Sequence, residues 1–169
     1  MPIILILKKI MRFFNLLLLP IFILSGCISS YETIEKKFKE PYGGKETIRY
    51  QIRNISIDGF GNQYKGEKGT SVKVSMEINH NCLDCGGTIN QIIIGLGGEK
   101  EAQACVWSGM QSSGGWESVN FEIKLPHKKG IYYLRSRYAQ AYNCSNSLGW
   151  WKVDLPEGPK INIGVFDIE

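Results

Sequence analysis

Four cysteines, Cys82, Cys85, Cys105 and Cys144, are the residues of this chain best equipped for chemistry. Cys82-Leu83-Asp84-Cys85 has Cys-x-x-Cys spacing and follows His80; with Cys105 and Cys144 it makes a four-sulfur set of the kind that holds zinc. The same even count suits two disulfides in an exported domain. Four cysteines allow three pairings, which spacing alone does not resolve. A rough topology that gathers all four at one apex favours bonds from the Cys82/Cys85 pair to Cys105 and Cys144. Structural disulfides are the expectation, with no metal and no cofactor. A metal set and redox-active thiols are the alternatives, although a thioredoxin-like site lacks its βαβ context here. His80 is expected at a strand end and His127 in a solvated turn.

Aromatic residues are the second concentration. Trp107, Trp116, Trp150 and Trp151 fall near connections, and Tyr138 and Tyr142 run toward the same end. With Gln103, Gln111, Asn143 and Asn146 nearby, they suit a platform for a glycan or a protein: ring faces supply area and amides supply directed hydrogen bonds. The competing expectation is that indoles cover the disulfides and seal the end of the fold. Catalysis is not expected. No serine sits in a nucleophile-elbow pattern, and no histidine is paired with a nucleophile. Asp84, Glu117 and Asp154 are isolated acids. Gly95, Gly97 and Gly98 lack the following helix that phosphate binding needs.

The elements that must position these residues read as strands. Val72, Val74, Met76 and Ile78 alternate with polar residues, as do Val119, Phe121, Ile123 and Leu125. Such period-two runs put one face on a core and the other in water. Ile48, Tyr50 and Ile52 alternate, then the parity slips to Ile55 and Ile57, which predicts a bulge or sheet switch near Asn54. Ile92 to Leu96 is nearly continuous, as in a central strand. Tyr132, Leu134, Ser136 and Tyr138 share a face, and Ile161, Ile163 and Val165 close the chain. About seven strands over residues 45–169 point to an all-β, antiparallel β-sandwich.

Leu125-Pro126-His127-Lys128-Lys129-Gly130-Ile131-Tyr132-Tyr133-Leu134 adds a more specific pattern. A proline, a turn, then Gly-x-Tyr-Tyr entering a strand resembles the E-to-F corner of bacterial immunoglobulin-like and fibronectin-III-like domains. The resemblance implies an immunoglobulin-like fold and no activity. The cysteine–tryptophan–cysteine core of immunoglobulins is not reproduced.

Upstream, Arg12 precedes an apolar run from Phe13 to Leu24, too short for a comfortable transmembrane helix and interrupted by Pro20. The run ends in Leu24-Ser25-Gly26-Cys27, which resembles a bacterial lipobox. That resemblance implies a signal peptide over 1–26, with Met11 the more economical start, and cleavage before a lipidated Cys27. It also implies diacylglycerol and a further acyl chain such as palmitate on that residue. A membrane anchor of more than one chain holds stably. Ile28 after the cysteine resembles the outer-membrane default if the cell is Gram-negative. Residues 27–44 read as a polar tether, with a helical turn or two possible over Glu32–Glu40. Removing Lys8, Lys9 and Arg12 lowers the formal charge from +4 to about +1, so no basic patch argues for nucleic acid. The expected function is a non-catalytic binding module of the cell envelope. A structural or accessory lipoprotein without a ligand is the alternative, and a metal or redox protein a more remote one.

Overall fold

Apolar side chains at every second position are all buried only if the chain extends and a second layer covers that face. The computed structural model describes residues 36–42, 45–81, 88–110, 113–152 and 160–169, all within one compact unit of residues 33–169. They form nine strands: β1 (Lys36–Tyr42), β2 (Lys45–Ile57), β3 (Gln63–Gly66), β4 (Ser71–Asn81), β5 (Asn90–Leu96), β6 (Ala104–Gly109), β7 (Ser113–Lys124), β8 (Gly130–Gln140) and β9 (Ile161–Ile168). A short helix α1 (Cys144–Leu148) runs into a 3₁₀ turn over Gly149–Lys152. Sheet order is β1-β2-β4-β7 in one sheet and β3-β9-β8-β5-β6 in the other. Tyr50, Ile52, Val74 and Ile78 from the first meet Ile92, Ile94, Leu134 and Phe166 from the second in one buried cluster. The all-β, two-sheet expectation holds in this sandwich-like form.

The strand count exceeds the expected seven. β3 lies in a glycine-rich stretch and pairs parallel with β9, the one departure from antiparallel pairing among the described strands. β1 comes from the stretch expected to be a tether, and it replaces the helical turn there from Lys36 onward. It pairs antiparallel with β2, whose thirteen residues otherwise have a partner only on the β4 side. The slip near Asn54 is present as expected. The β2–β4 register shifts between Arg53 and Ser56, with Asn54 at φ 52°. One extra residue returns Ile55 and Ile57 to the face that Ile52 occupies.

β5 is buried over its whole length. Ile92, Ile94 and Leu96 face the inter-sheet core, whereas Ile93 joins a second cluster with Ala102, Ala139 and Trp151. The β8–β9 connection folds back over the outer face of the five-stranded sheet and makes that second cluster. Trp151 is fully buried there, and its Nε1–H donates to the Leu96 carbonyl at 3.2 Å. A Cβ on Gly95 would lie 3.0 Å from the Trp151 ring and from Ala102 Cα, so the glycine leaves room for the indole. The continuous apolar run thus reflects cover on both faces.

The cysteine pairing is corrected. Cys105 bonds Cys144, with Cα atoms 5.6 Å apart, so neither reaches the Cys82/Cys85 pair as expected. The β5–β6 register shifts between Ile92 and Ile93: Trp107 stands opposite Ile92 and Cys105 opposite Ile93. The extra residue, Val106, lets Cys105 face the outer side while Trp107 packs on the core. On that outer face the folded-back connection brings Cys144. Two sulfurs of the four-sulfur metal alternative are engaged in this bond. Cys27, Cys82 and Cys85 lie outside the described residues.

Candidate functional site

The segment after β8 is tied down at several points. Buried Gln91 acts as a surrogate strand: its Nε2 donates to the Ala141 carbonyl at 2.9 Å, and its Oε1 accepts from the Ala141 N–H at 2.9 Å. Asn143 caps α1, its Oδ1 accepting from the Asn146 N–H at 3.0 Å. The disulfide holds Cys144 to β6. Arg137, buried on β8, donates from Nη1 to the Trp150 carbonyl at 2.5 Å. A guanidinium aimed at the carbonyls that end a helical turn is a strong, directional contact.

These ties hold Trp150 and Tyr142 at the surface, 40% and 88% exposed. Together with Thr88, Ile89, Gln140, Ala141 and Asn146 they line an open cleft of about 590 Å³. Ile89 is also exposed and adds an apolar wall. The lining is aromatic, amide, hydroxyl and apolar. It offers stacking faces and neutral hydrogen-bond groups on a fixed frame.

The remaining aromatic candidates go elsewhere. Trp151 is buried beneath the cleft segment. Tyr138 is buried between the sheets, its ring 6.4 Å from Tyr50 and 6.0 Å from His80. Trp107 is half-buried and stacks on His80 at 3.8 Å. Trp116 lies on β7 in the other sheet, with the Arg53 guanidinium 3.8 Å over its ring. Arg53 also donates to Glu77 at 2.6 Å. The six expected platform residues therefore split: Trp150 and Tyr142 share a cleft, Trp151 and Tyr138 are core, and Trp107 and Trp116 are occupied by ring or cation contacts.

No protein-family model matches the chain, and no curated protein matches it.

His80 sits at the end of β4 as expected, but it is a core residue, only 3% exposed. Among the described residues neither of its ring nitrogens has a hydrogen-bond partner. Burial, with a smaller contribution from the Arg49 charge, pushes its pKa down to about 4, so the imidazole is neutral near pH 7. His127 is exposed in a turn. Ile89, Gln91 and Arg137 were not singled out by sequence reasoning. Gln91 inside an apolar run was the available signal: a buried amide needs partners.

Proposed function

We propose that this chain is a lipid-anchored protein of the cell envelope whose β-domain is a non-catalytic binding module for a neutral glycan. The observation that carries the reading is the joint exposure of Trp150 and Tyr142 on a segment fixed by a disulfide, Gln91 and Arg137. Large rigid rings left in water, beside the amides of Gln140 and Asn146, match the apolar faces and hydroxyls of a sugar. The anchor rests on the Leu24-Ser25-Gly26-Cys27 sequence after the apolar run. Among the described residues no helix is long and apolar enough to cross a membrane.

An immunoglobulin-like identity for the sandwich is supported by strand order. β2-β4-β7 follows A-B-E, and β6-β5-β8-β9 follows C′-C-F-G. The corner entering β8 supports it independently: the Tyr132 hydroxyl donates to the Lys128 carbonyl four residues upstream at 2.9 Å. Such a tyrosine corner marks the start of strand F. Leu134, two residues on, occupies the place of the second immunoglobulin cysteine. In this frame the cleft lies at the start of the F–G connection.

Titration with neutral envelope oligosaccharides, followed by tryptophan fluorescence, tests the function. The expected result is a saturable change that Trp150→Ala abolishes and Trp116→Ala retains, with both variants folded. Binding that survives Trp150→Ala, or no binding to any oligosaccharide, would leave a structural envelope lipoprotein instead.

A further inference from the structure

A sheet edge with free N–H and C=O groups is a template for another strand, and natural proteins blunt such edges with bulges, lysines, prolines or shortness. Three of the four described edges carry these devices. β3 is four residues long. β6 is short, bulged against β5 and tied to α1 by the disulfide. β1 has a register shift after Phe38, and its sequence holds Lys36, Lys37, Lys39 and Pro41. β7 differs. It pairs with β4 in unbroken register from Trp116 to Lys124, and no described strand is hydrogen-bonded to its other side.

The free groups of β7 can be assigned. The Leu125 N–H donates to the Thr70 carbonyl, and the Gly115 N–H to the Asn79 side chain, so odd positions face β4. Lys124 faces away: its N–H donates to Gln103 Oε1 at 2.7 Å, and its carbonyl accepts from Gln103 Nε2 at 3.0 Å. Since the period is two, Ser118, Asn120 and Glu122 also present N–H and C=O to the open edge. Gln103 closes the far end of that edge as a one-residue surrogate strand.

We propose that this open stretch of β7 pairs antiparallel with the same stretch of a second copy of the chain, centred on Asn120. The register is self-complementary. Asn120 meets its own copy, Ser118 meets Glu122, and no like charges stand opposite one another. On the inner side Val119 meets Phe121, two apolar residues left only partly buried on the core. Beyond the ladder, Lys124 of one copy lies opposite Trp116 of the other. A pairing shifted by two residues in one direction sets Glu122 against Asn120 and runs into the Gln103-blocked end. The proposal is independent of the glycan reading, because the cleft is on the other sheet.

Sedimentation of the full chain in density-matched detergent tests it, with Asn120→Cys as a position probe. The dyad residue meets itself with Cα atoms about 5.5 Å apart, within disulfide reach. The expected results are twice the protomer mass and ready oxidation of Asn120→Cys to a covalent dimer, with Lys73→Cys on β4 remaining uncrosslinked. Asn120→Pro removes only an edge-facing N–H, which an edge strand tolerates, and is expected to give monomers with the wild-type melting temperature. If that variant does not fold, Ser118→Pro serves in its place. A monomeric wild type at tens of micromolar overturns the proposal. So does a dimer that persists in the folded proline variant, or one in which Asn120→Cys does not crosslink. A monomer carrying another protein's strand on β7 overturns it equally.

Discussion

A buried imidazole without a hydrogen-bond partner makes stability depend on pH, and among the described residues His80 is such a group. Stacked against Trp107 and close to Tyr138, it stays neutral in the folded protein down to about pH 4. In the unfolded chain it takes up a proton near its ordinary value of 6.5. Between those limits the unfolded state binds more protons, so stability is full above the window and falls as the pH drops through it. The loss approaches ~1.4 kcal/mol per pH unit within the window. Urea midpoints at pH 7 and pH 5 check this: wild type is expected to lose stability at the lower pH, and His80→Phe to lose distinctly less. Equal slopes in the two proteins would remove His80 as the cause. The residue itself was legible as a strand-end histidine. Its burial was not, because that depends on aromatic rings delivered by β6 and β8, far away in sequence.

Elements divide in the same way. Alternating runs such as Val72–Ile78 announce their buried face, and the parity slip at Asn54 announced a bulge, because both signals are local. β1 gave no such signal: its lysine-rich sequence is a strand by virtue of lying on β2. The bulge at Val106 was equally silent, and it sets Cys105 and Trp107 on opposite faces of β6. Because Val106 is extra, Cys105 can share a face with Cys144 while Trp107 packs on the core. The bond closes a separation of 39 residues, for which loop entropy gives a stabilisation on the order of 3–4 kcal/mol. Cys144→Ser is expected to lower the denaturation free energy by roughly that amount. It should also release the segment carrying Trp150, weakening the proposed glycan binding even where the protein remains folded. Guanidinium melts and the fluorescence titration, run on the same preparation, separate the two effects. Full binding by the variant would show that Gln91 and Arg137 hold the cleft without the bond.

At the scale of the whole molecule, the proposed anchor residue and the domain lie close along the chain. β1 begins at Lys36, leaving residues 28–35 between Cys27 and the first strand. Fully extended, that stretch reaches at most about 29 Å, so an acylated Cys27 would keep the domain near its membrane. Mass spectrometry of membrane-extracted protein is expected to find the N-terminus at Cys27 with diacylglycerol attached. A water-soluble, unmodified product beginning elsewhere would refute the anchor. The surface cleft follows the same pattern of legibility: the aromatic residues were visible in the sequence, but which two reach solvent depends on how the β8–β9 segment folds back.

That folded-back segment also acts as an inspector of assembly. A strand displaced by one position turns all its side chains to the opposite face. If β6 settled on β5 without its extra residue, Cys105 and Trp107 would share a face, and either the thiol or the indole would be misdirected. If β8 slipped against β5, Arg137 and Ala139 would turn inward and the segment bearing Cys144 would lose its seat. Joint oxidation of the Cys105 and Cys144 thiols by an external oxidant, such as a thiol–disulfide exchange partner, therefore selects chains whose ladders are both in register. The closed bond is a chemical receipt for a correctly assembled sheet, issued between β6 and the segment that follows β8.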